Sequence, residues 1–409
     1  MPPKRKYIVA RTIKVIVSPF LRSFLKLNYK RSDKLREISR PYFIFGNHTT
    51  FFDPFILSVG NPVPVNFVTN DEYFRFRTIN FLLKLTGAVP KTKFMTDAVA
   101  VRNIFRLKRD GSAIGIYPEG GRTWQGRTQP VLFPTAKLVK KLEIPVVVAL
   151  TKGAALSTPR WAKKFRRGRV LVNYDLLLTP EQIREMTVEE IFEAITESLR
   201  HDEAEWQRQE MIPFRGKRLA ERLEWFLYAC PKCGGLESMT SSGDLYSCSE
   251  CGYTVKYNVY GFFVSPKDGE REKYDNVNTW NDFQYSLMRE KVQSLADGEA
   301  LLQNPDATLL MGTRGKAFLE RVNSGVLTLT NKGLRLESSK GASEMDFQHI
   351  EGIIINHKNT IDFYYNGIKL RITLHSKLAC GYVWEDAVKA LKQNAAEDAA
   401  AETLRDKQS

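Results

Sequence analysis

Residues 42–54 read YFIFGNHTTFFDP, an apolar run that passes into a polar loop and then into a helical pattern. A short apolar run bounded in this way is typical of a buried strand. Further strand candidates alternate with helical stretches along the chain: strands at 65–68, 113–117, 144–150 and 169–174, helices near 51–59, 71–86, 96–109, 134–142 and 180–200. This alternation predicts an α/β domain with a central sheet over residues 41–212.

The composition is that of a globular protein with more than one domain, because 43% of the 409 residues are hydrophobic and 26% are charged. The longest apolar stretches fall well short of the roughly 20 residues that a spanning helix needs, so no transmembrane segment is predicted. Arg11 and Lys14 interrupt the apolar part of the N-terminus, which argues against a secretory leader. Cysteine usage indicates a reducing compartment. We expect a cytoplasmic protein.

Residues 1–40 form a basic arm that carries most of the net charge of +15, with twelve Lys and Arg against Asp33 and Glu37. Apolar side chains alternate with these charges, and Ser18-Pro19 is typical of a helix start, so two short amphipathic helices are predicted. Such helices bind anionic membranes in the interface plane, which predicts membrane phospholipids as partners and a peripheral location on the inner face. Packing on the following domain is the alternative. Nucleic acid is not expected, because the arm has few aromatic side chains for base stacking.

The loop after the first quoted strand holds His48 and Asp53 five residues apart. If His48 lies in the loop and Asp53 in the first helical turn, the carboxylate can accept one ring N–H and leave the other nitrogen as a base. A capping Asp and a surface His are the alternative interpretation.

A second loop follows the strand near 113–117, where residues 114–123 read IGIYPEGGRT. Its glycine pair permits close backbone approach to a ligand, and Arg122 offers a planar fork for phosphate. A strand-to-loop exit is the usual place for a binding site in an α/β sheet. A glycine turn with a surface salt bridge is the alternative.

Together, in this order and separation, the two loops resemble the signature of the 1-acylglycerol-3-phosphate acyltransferase family, over about residues 1–200. The resemblance implies that His48 is the general base, Asp53 its orienting residue, Glu119 and Gly120 acceptor-site residues, and Arg122 a phosphate ligand. It also implies an acyl thioester of coenzyme A or acyl carrier protein as donor. The family's middle block usually carries an Arg, whereas residues 87–94 read GAVPKTKF and offer Lys91 and Lys93 for substrate binding.

The reaction expected from this resemblance is acyl transfer to the hydroxyl of 1-acylglycerol 3-phosphate, which gives phosphatidic acid. Glycerol 3-phosphate or another lysophospholipid is an alternative acceptor. A non-enzymatic basic zinc protein that binds membrane or nucleic acid is the alternative from another functional class.

Residues 213–265 contain two Cys-x-x-Cys pairs. For this segment the sequence predicts a connector helix at 214–228 and then a zinc ribbon. Each pair is followed by glycine, and fourteen residues separate them: Cys230, Cys233, Cys248 and Cys251. Four thiolates at this spacing predict a structural Zn²⁺ with a full tetrahedral ligand set. Cys380 is interpreted as a core thiol.

The C-terminal part is predicted as a helical linker at 266–305, a small mainly-β domain with a closing helix at 306–396, and a polar tail at 397–409. Alternating short strands and a final helix containing Trp384 resemble the pleckstrin-homology or GRAM-like barrel. That resemblance implies a lipid-docking or protein-docking module, and a β domain that only packs on the enzyme is the alternative.

Overall fold

A computed structural model describes residues 4–92, 97–312, 319–339 and 341–406, which fall into two units. Unit 1 comprises residues 1–217 with 259–261, and unit 2 comprises residues 218–258 with 262–409. Among these described residues, no helix combines the length and the apolar character required to cross a bilayer.

Unit 1 is an α/β domain. Its elements are α1 (Lys4–Phe24), β1 (Leu27–Arg31), β2 (Tyr42–Gly46), α2 (Asp53–Gly60), β3 (Val65–Asn70), α3 (Arg77–Thr86), β4 (Val89–Lys91), α4 (Ala98–Arg109), β5 (Ala113–Ile116), α5 (Pro134–Leu142), β6 (Val146–Lys152), α6 (Ala154–Ser157), β7 (Val170–Leu178), α7 (Pro180–Glu185), α8 (Val188–Leu199) and α9 (Glu203–Glu210). The seven strands form one sheet in the order β1-β7-β6-β2-β5-β3-β4, parallel except for the β6–β7 pair. The predicted α/β class is therefore confirmed.

The core of unit 1 lies on both faces of this sheet, because alternate side chains of a strand point to opposite faces. Phe43 and Phe45 of β2 pack in one cluster with side chains of α4, α5 and α8. Tyr42 and Ile44 pack in the other cluster with side chains of α1 and α2. Helices on both faces explain why β2 reads as a continuous apolar run.

The N-terminal arm differs from the two short helices that the sequence predicts. It is one helix, α1, with Pro19 inside it, followed by the edge strand β1 in parallel pairing with β7. Proline inside a helix removes one backbone hydrogen bond, and burial of Leu21 and Leu25 in the unit's core offsets that loss. The arm thus packs on the domain through one side of α1.

Two predicted helices are divided. The stretch 71–86 is a 3₁₀ turn, Asp71–Arg75, and then α3, with Phe76 extended between them. The stretch 180–200 is α7 and α8, because Met186 and Thr187 are extended and Thr187 starts a new helix with a capping box to Glu190.

The described residues of unit 2 form two antiparallel sheets and two α-helices. Its elements are β8 (Met239–Ser242), β9 (Leu245–Cys248), β10 (Thr254–Tyr257), β11 (Phe262–Val264), β12 (Arg271–Asn276), α10 (Val277–Gln293), β13 (Leu302–Gly312), β14 (Leu319–Leu329), β15 (Gly333–Ser338), β16 (Gly341–Asp346), β17 (Ile350–His357), β18 (Thr360–Tyr365), β19 (Ile368–Leu374) and α11 (Gly381–Asp406). The sheet orders are β12-β11-β10-β9-β8 and β16-β15-β14-β13-β19-β18-β17. A mainly-β region with a closing helix is thus present, while its likeness to a pleckstrin-homology or GRAM-like barrel stays a prediction.

The segment 214–228 contains a 3₁₀ turn, Leu223–Trp225, and no α-helix, contrary to the predicted connector helix. Its backbone donors bond to side chains outside a helical pattern: the N–H of Leu219 donates to Asp244 at 2.7 Å, and that of Arg222 to the Ser241 hydroxyl at 2.9 Å. Side-chain acceptors of this kind offer the backbone an alternative to helix formation.

Candidate active site

The two predicted loops leave neighbouring strands at the same edge of the sheet. Strands β2 and β5 are parallel, with Phe45 paired to Ile116, so the loop at 47–52 and the loop at 117–123 start side by side. The carboxyl edge of a parallel sheet is the common place for a ligand site.

His48 and Asp53 form the hydrogen bond that their spacing allows. Nδ1 of His48 lies 2.8 Å from Oδ2 of Asp53, the first residue of α2. The same oxygen accepts the backbone N–H groups of Thr49 at 2.7 Å and Thr50 at 2.8 Å, and the carboxylate is fully buried. Because these N–H groups hold the carboxylate as an acceptor, Nδ1 of the imidazole carries the hydrogen and Nε2 carries the lone pair.

Backbone hydrogen bonds join His48 to the second loop. The N–H of His48 donates to Oε1 of Glu119 at 2.6 Å, and the N–H of Thr123 donates to the carbonyl of His48 at 2.9 Å. The other oxygen of Glu119 accepts the N–H of Gln129 at 2.6 Å. The two loops therefore form one connected structure around His48.

Glu119 is buried, and burial raises its pKa to about 8 in spite of the two N–H donors, which act in the opposite direction. Both carboxyl oxygens are used to brace the loops. Its predicted role in acceptor binding stays a prediction.

The remaining predicted substrate residues lie around the loop ends. Gly120 is exposed with φ +69°, a backbone conformation that favours glycine. Arg122 is half-buried, and its guanidinium makes no hydrogen bond or ion pair with the described part of the chain. Lys91 is half-buried at the end of β4, and its Nζ donates to the carbonyl of Thr92 at 3.1 Å. Lys93 lies outside the described residues.

Sequence reasoning missed three contributors to this site. Tyr117 stacks on the imidazole of His48, with ring centroids 4.2 Å apart. Thr151 exchanges two 2.8 Å hydrogen bonds with the Asn47 amide, and Arg160 donates to the carbonyl of Arg122 at 2.8 Å. Tyr117 belongs to a quoted motif and could have been found, whereas Thr151 and Arg160 come from segments distant in sequence; Arg160 belongs to a basic cluster at 160–169 that does not indicate a contact with the Arg122 loop.

The four predicted metal ligands of unit 2 are brought together. Their Sγ atoms all lie within 4.8 Å of one another: Cys230, Cys233, Cys248 and Cys251. The separations are 3.7 Å for Cys230–Cys251 and 3.8 Å for Cys233–Cys248. Tetrahedral Zn²⁺ with Zn–S bonds of about 2.3 Å requires sulfur atoms about 3.8 Å apart, whereas a disulfide requires about 2.05 Å. The cluster is compatible with zinc, and the buried Cys380 is not part of it.

Comparisons with known proteins give a family match and a similar solved structure. Residues 26–150 match the family model described as Acyltransferase, and no curated protein matches the chain. The chain is similar to a solved structure, the 1-acyl-sn-glycerophosphate (LPA) acyltransferase PlsC from Thermotoga maritima, with 18% identity over 49% of this chain and 80% of that chain and a TM-score of 0.41. The family match contains both loops, and residues 26–150 therefore carry an acyltransferase domain.

Proposed function

We propose that the protein is a lysophospholipid acyltransferase that transfers a fatty acyl group from an acyl thioester to the hydroxyl of 1-acylglycerol 3-phosphate, with phosphatidic acid as product. The observation that carries this proposal is the 2.8 Å hydrogen bond between His48 and Asp53, within the acyltransferase match and beside the Arg122 loop. An oriented base next to an unpaired cation suits an acceptor that has both a hydroxyl and a phosphate.

In the proposed reaction, Nε2 of His48 takes the proton of the acceptor hydroxyl while the hydroxyl oxygen attacks the thioester carbonyl. The carbon–sulfur bond then breaks, and the imidazolium returns the proton to the leaving thiolate. Asp53 stabilises the imidazolium that forms between these steps. The imidazole is 21% exposed, so a substrate can reach it. Base catalysis of this type contributes about 10²- to 10⁴-fold.

Direct transfer without an acyl-enzyme is favoured by the residues that surround His48. All five cysteines lie at position 230 or later, so unit 1 has no thiol nucleophile. The hydroxyl of Thr49 donates to Asp53 at 3.3 Å, which occupies it in supporting the carboxylate.

The acceptor phosphate is proposed to bind Arg122, with Lys91 and Lys93 as further cations. A guanidinium binds phosphate through two parallel N–H donors, whereas an ammonium acts as a point charge. Glycerol 3-phosphate or another lysophospholipid would satisfy the same cations, and a panel of acceptors distinguishes them.

Peripheral membrane binding is proposed for the exposed side of α1. Its apolar side chains Ile8, Val15, Ile16 and Phe20 are all at least 61% exposed, and Arg11 and Arg22 are exposed beside them. A helix with exposed apolar and basic side chains suits the surface of an anionic bilayer, where both proposed substrates reside.

The test is release of free thiol from acyl-coenzyme A in the presence of lysophosphatidic acid. His48→Ala should abolish release while the fold is retained, and His349→Ala, an exposed histidine of unit 2, should leave it unchanged. Substantial activity in His48→Ala rejects the assignment. A parallel filter-binding assay with nucleic acid tests the non-enzymatic alternative.

A further inference from the structure

Three aromatic rings form a stack that ends at His48. The imidazole and the ring of Tyr117 have centroids 4.2 Å apart and planes inclined by 16°. The centroids of the Tyr117 and Phe67 rings are 5.8 Å apart, and their planes are inclined by only 8°. The three planes are therefore nearly parallel, and Tyr117 is the ring that is stacked with both others.

Neighbouring strands supply the three rings. Phe67 lies on β3, Tyr117 follows β5, and His48 follows β2, and β5 pairs in parallel with both other strands. The register of the sheet thus brings one ring from each strand to the same edge.

Two glycines make room for this stack. A Cβ at Gly115 would lie 2.4 Å from Cδ1 of Phe67, and a Cβ at Gly46 would lie 3.2 Å from Cε1 of Tyr117 and 2.8 Å from Cδ2 of Leu57. Larger residues at either position would displace the rings.

The hydroxyl of Tyr117 takes no part in hydrogen bonding with the described residues, although its oxygen is buried. Burial also raises the pKa of this phenol well above its usual value, so the group is neutral. The ring of Tyr117 is therefore the part of the side chain that acts on His48.

We propose that Tyr117 is a positioning residue for the imidazole of His48, an inference that rests on the proposed function. The hydrogen bond to Asp53 fixes the position of one ring atom, Nδ1, but a single hydrogen bond does not by itself set the plane of the imidazole. The flat face of Tyr117 sets that plane and holds Nε2 in one direction. The parallel ring of Phe67 packs near Tyr117 and supports it.

The kinetic test compares Tyr117→Leu with Tyr117→Phe. Tyr117→Leu should lower kcat about 10- to 100-fold, with KM and melting temperature retained, because misplacement of a catalytic group by about 1 Å costs up to 10² in rate. Tyr117→Phe should retain kcat because it keeps the ring. A loss in both variants, or in neither, overturns the positioning role. Tyr117→Met provides the same comparison if Tyr117→Leu does not fold, because the flexible Met side chain fills the space without a ring.

A second measurement is independent of activity. The Cε1 proton of His48 is assigned in the NMR spectrum by its absence from His48→Ala, and the ring current of Tyr117 should move it upfield. Tyr117→Phe should keep that shift and Tyr117→Leu should lose it. An unchanged shift in Tyr117→Leu overturns the stack.

The outcomes separate the two proposals. An inactive wild type, or an active His48→Ala, rejects the proposed function and the positioning role with it. An active wild type that loses activity in His48→Ala but not in Tyr117→Leu rejects only the positioning role.

Discussion

Replacement of Asp53 by Asn removes one negative charge from the site. The hydrogen-bond pattern indicates that the bonds to this side chain can be kept. Three N–H donors converge on Oδ2 of Asp53, from His48, Thr49 and Thr50, whereas within the described residues Oδ1 accepts only the Thr49 hydroxyl. The amide oxygen of Asn should take the Oδ2 position, and its NH₂ group can donate to that hydroxyl. We therefore expect Asp53→Asn to fold and to keep the proton on Nδ1.

The rate should fall because the imidazolium loses its counter-ion. A hydrogen bond of 2.8 Å between Nδ1 and Oδ2 places the two centres of charge about 4 Å apart, where the attraction is about 4 kcal/mol at an effective dielectric constant of about 20. Loss of that attraction from the transition state corresponds to a fall in kcat of at most about 10³-fold, since each 1.36 kcal/mol is about tenfold.

The assay is thiol release from acyl-coenzyme A at saturating lysophosphatidic acid, with the melting temperature measured in parallel. The matched control is Asp202→Asn, whose carboxylate likewise accepts two backbone N–H groups, at 2.8 and 3.1 Å. Asp202→Asn should keep near-wild-type kcat, since Asn is also a good helix cap. A kcat for Asp53→Asn within about twofold of wild type would refute the electrostatic role, because the lost attraction of about 4 kcal/mol predicts far more. A melting temperature well below that of the control would refute the argument that the hydrogen bonds survive.

Further predictions concern the cations, the buried carboxyl and the metal ligands. Arg122→Met should raise KM for the phosphorylated acceptor about 10- to 100-fold, in line with about 1.5–3 kcal/mol for a hydrogen bond to a charged group, and should leave KM for the acyl donor unchanged in steady-state kinetics. Burial raises the pKa of Glu119 from 4.5 to about 8. Between these pH values the folded chain holds a proton that the unfolded chain releases, so the free energy of unfolding should fall as the pH rises from about 4.5 to about 8. The free energy of unfolding is measured by urea denaturation at several pH values. Glu119→Gln should make its dependence on pH shallower by up to about 1.4 kcal/mol per pH unit, and an unchanged dependence would contradict the raised pKa of Glu119. Cys248→Ser should lose bound zinc and lower the melting temperature of unit 2, whereas Cys380→Ser should keep the metal; metal analysis with a colorimetric chelator distinguishes them.

Local sequence patterns predicted the parts of unit 1 that depend on neighbouring residues. The strand at 42–46 and the hydrogen bond between His48 and Asp53 both follow from short-range features, an apolar run and a spacing of five residues. The meeting of the two loops agrees with the rule that neighbouring parallel strands present their carboxyl ends at one edge of the sheet.

Features that depend on sheet register were not predictable in this way. The stack of Phe67, Tyr117 and His48 exists because β3, β5 and β2 are neighbours, and strand order is not encoded in any one segment. Strand β1 was missed for a different reason: only Leu27 is buried in Leu27–Arg31, so this edge strand reads as part of a basic arm. Charged side chains are common on edge strands, which they protect from pairing with other chains.

The way α1 is joined to unit 1 limits how the N-terminus can be manipulated. Leu21 and Leu25 are buried in the same cluster as Ile56 and Val172, and only two residues separate α1 from β1. Deleting the whole helix to improve solubility would expose apolar surface on unit 1 itself. Trimming that stops before Val17, or replacement of Ile16 and Phe20 by polar residues, would remove exposed apolar side chains that are proposed to contact lipid and would leave the hydrophobic interior intact.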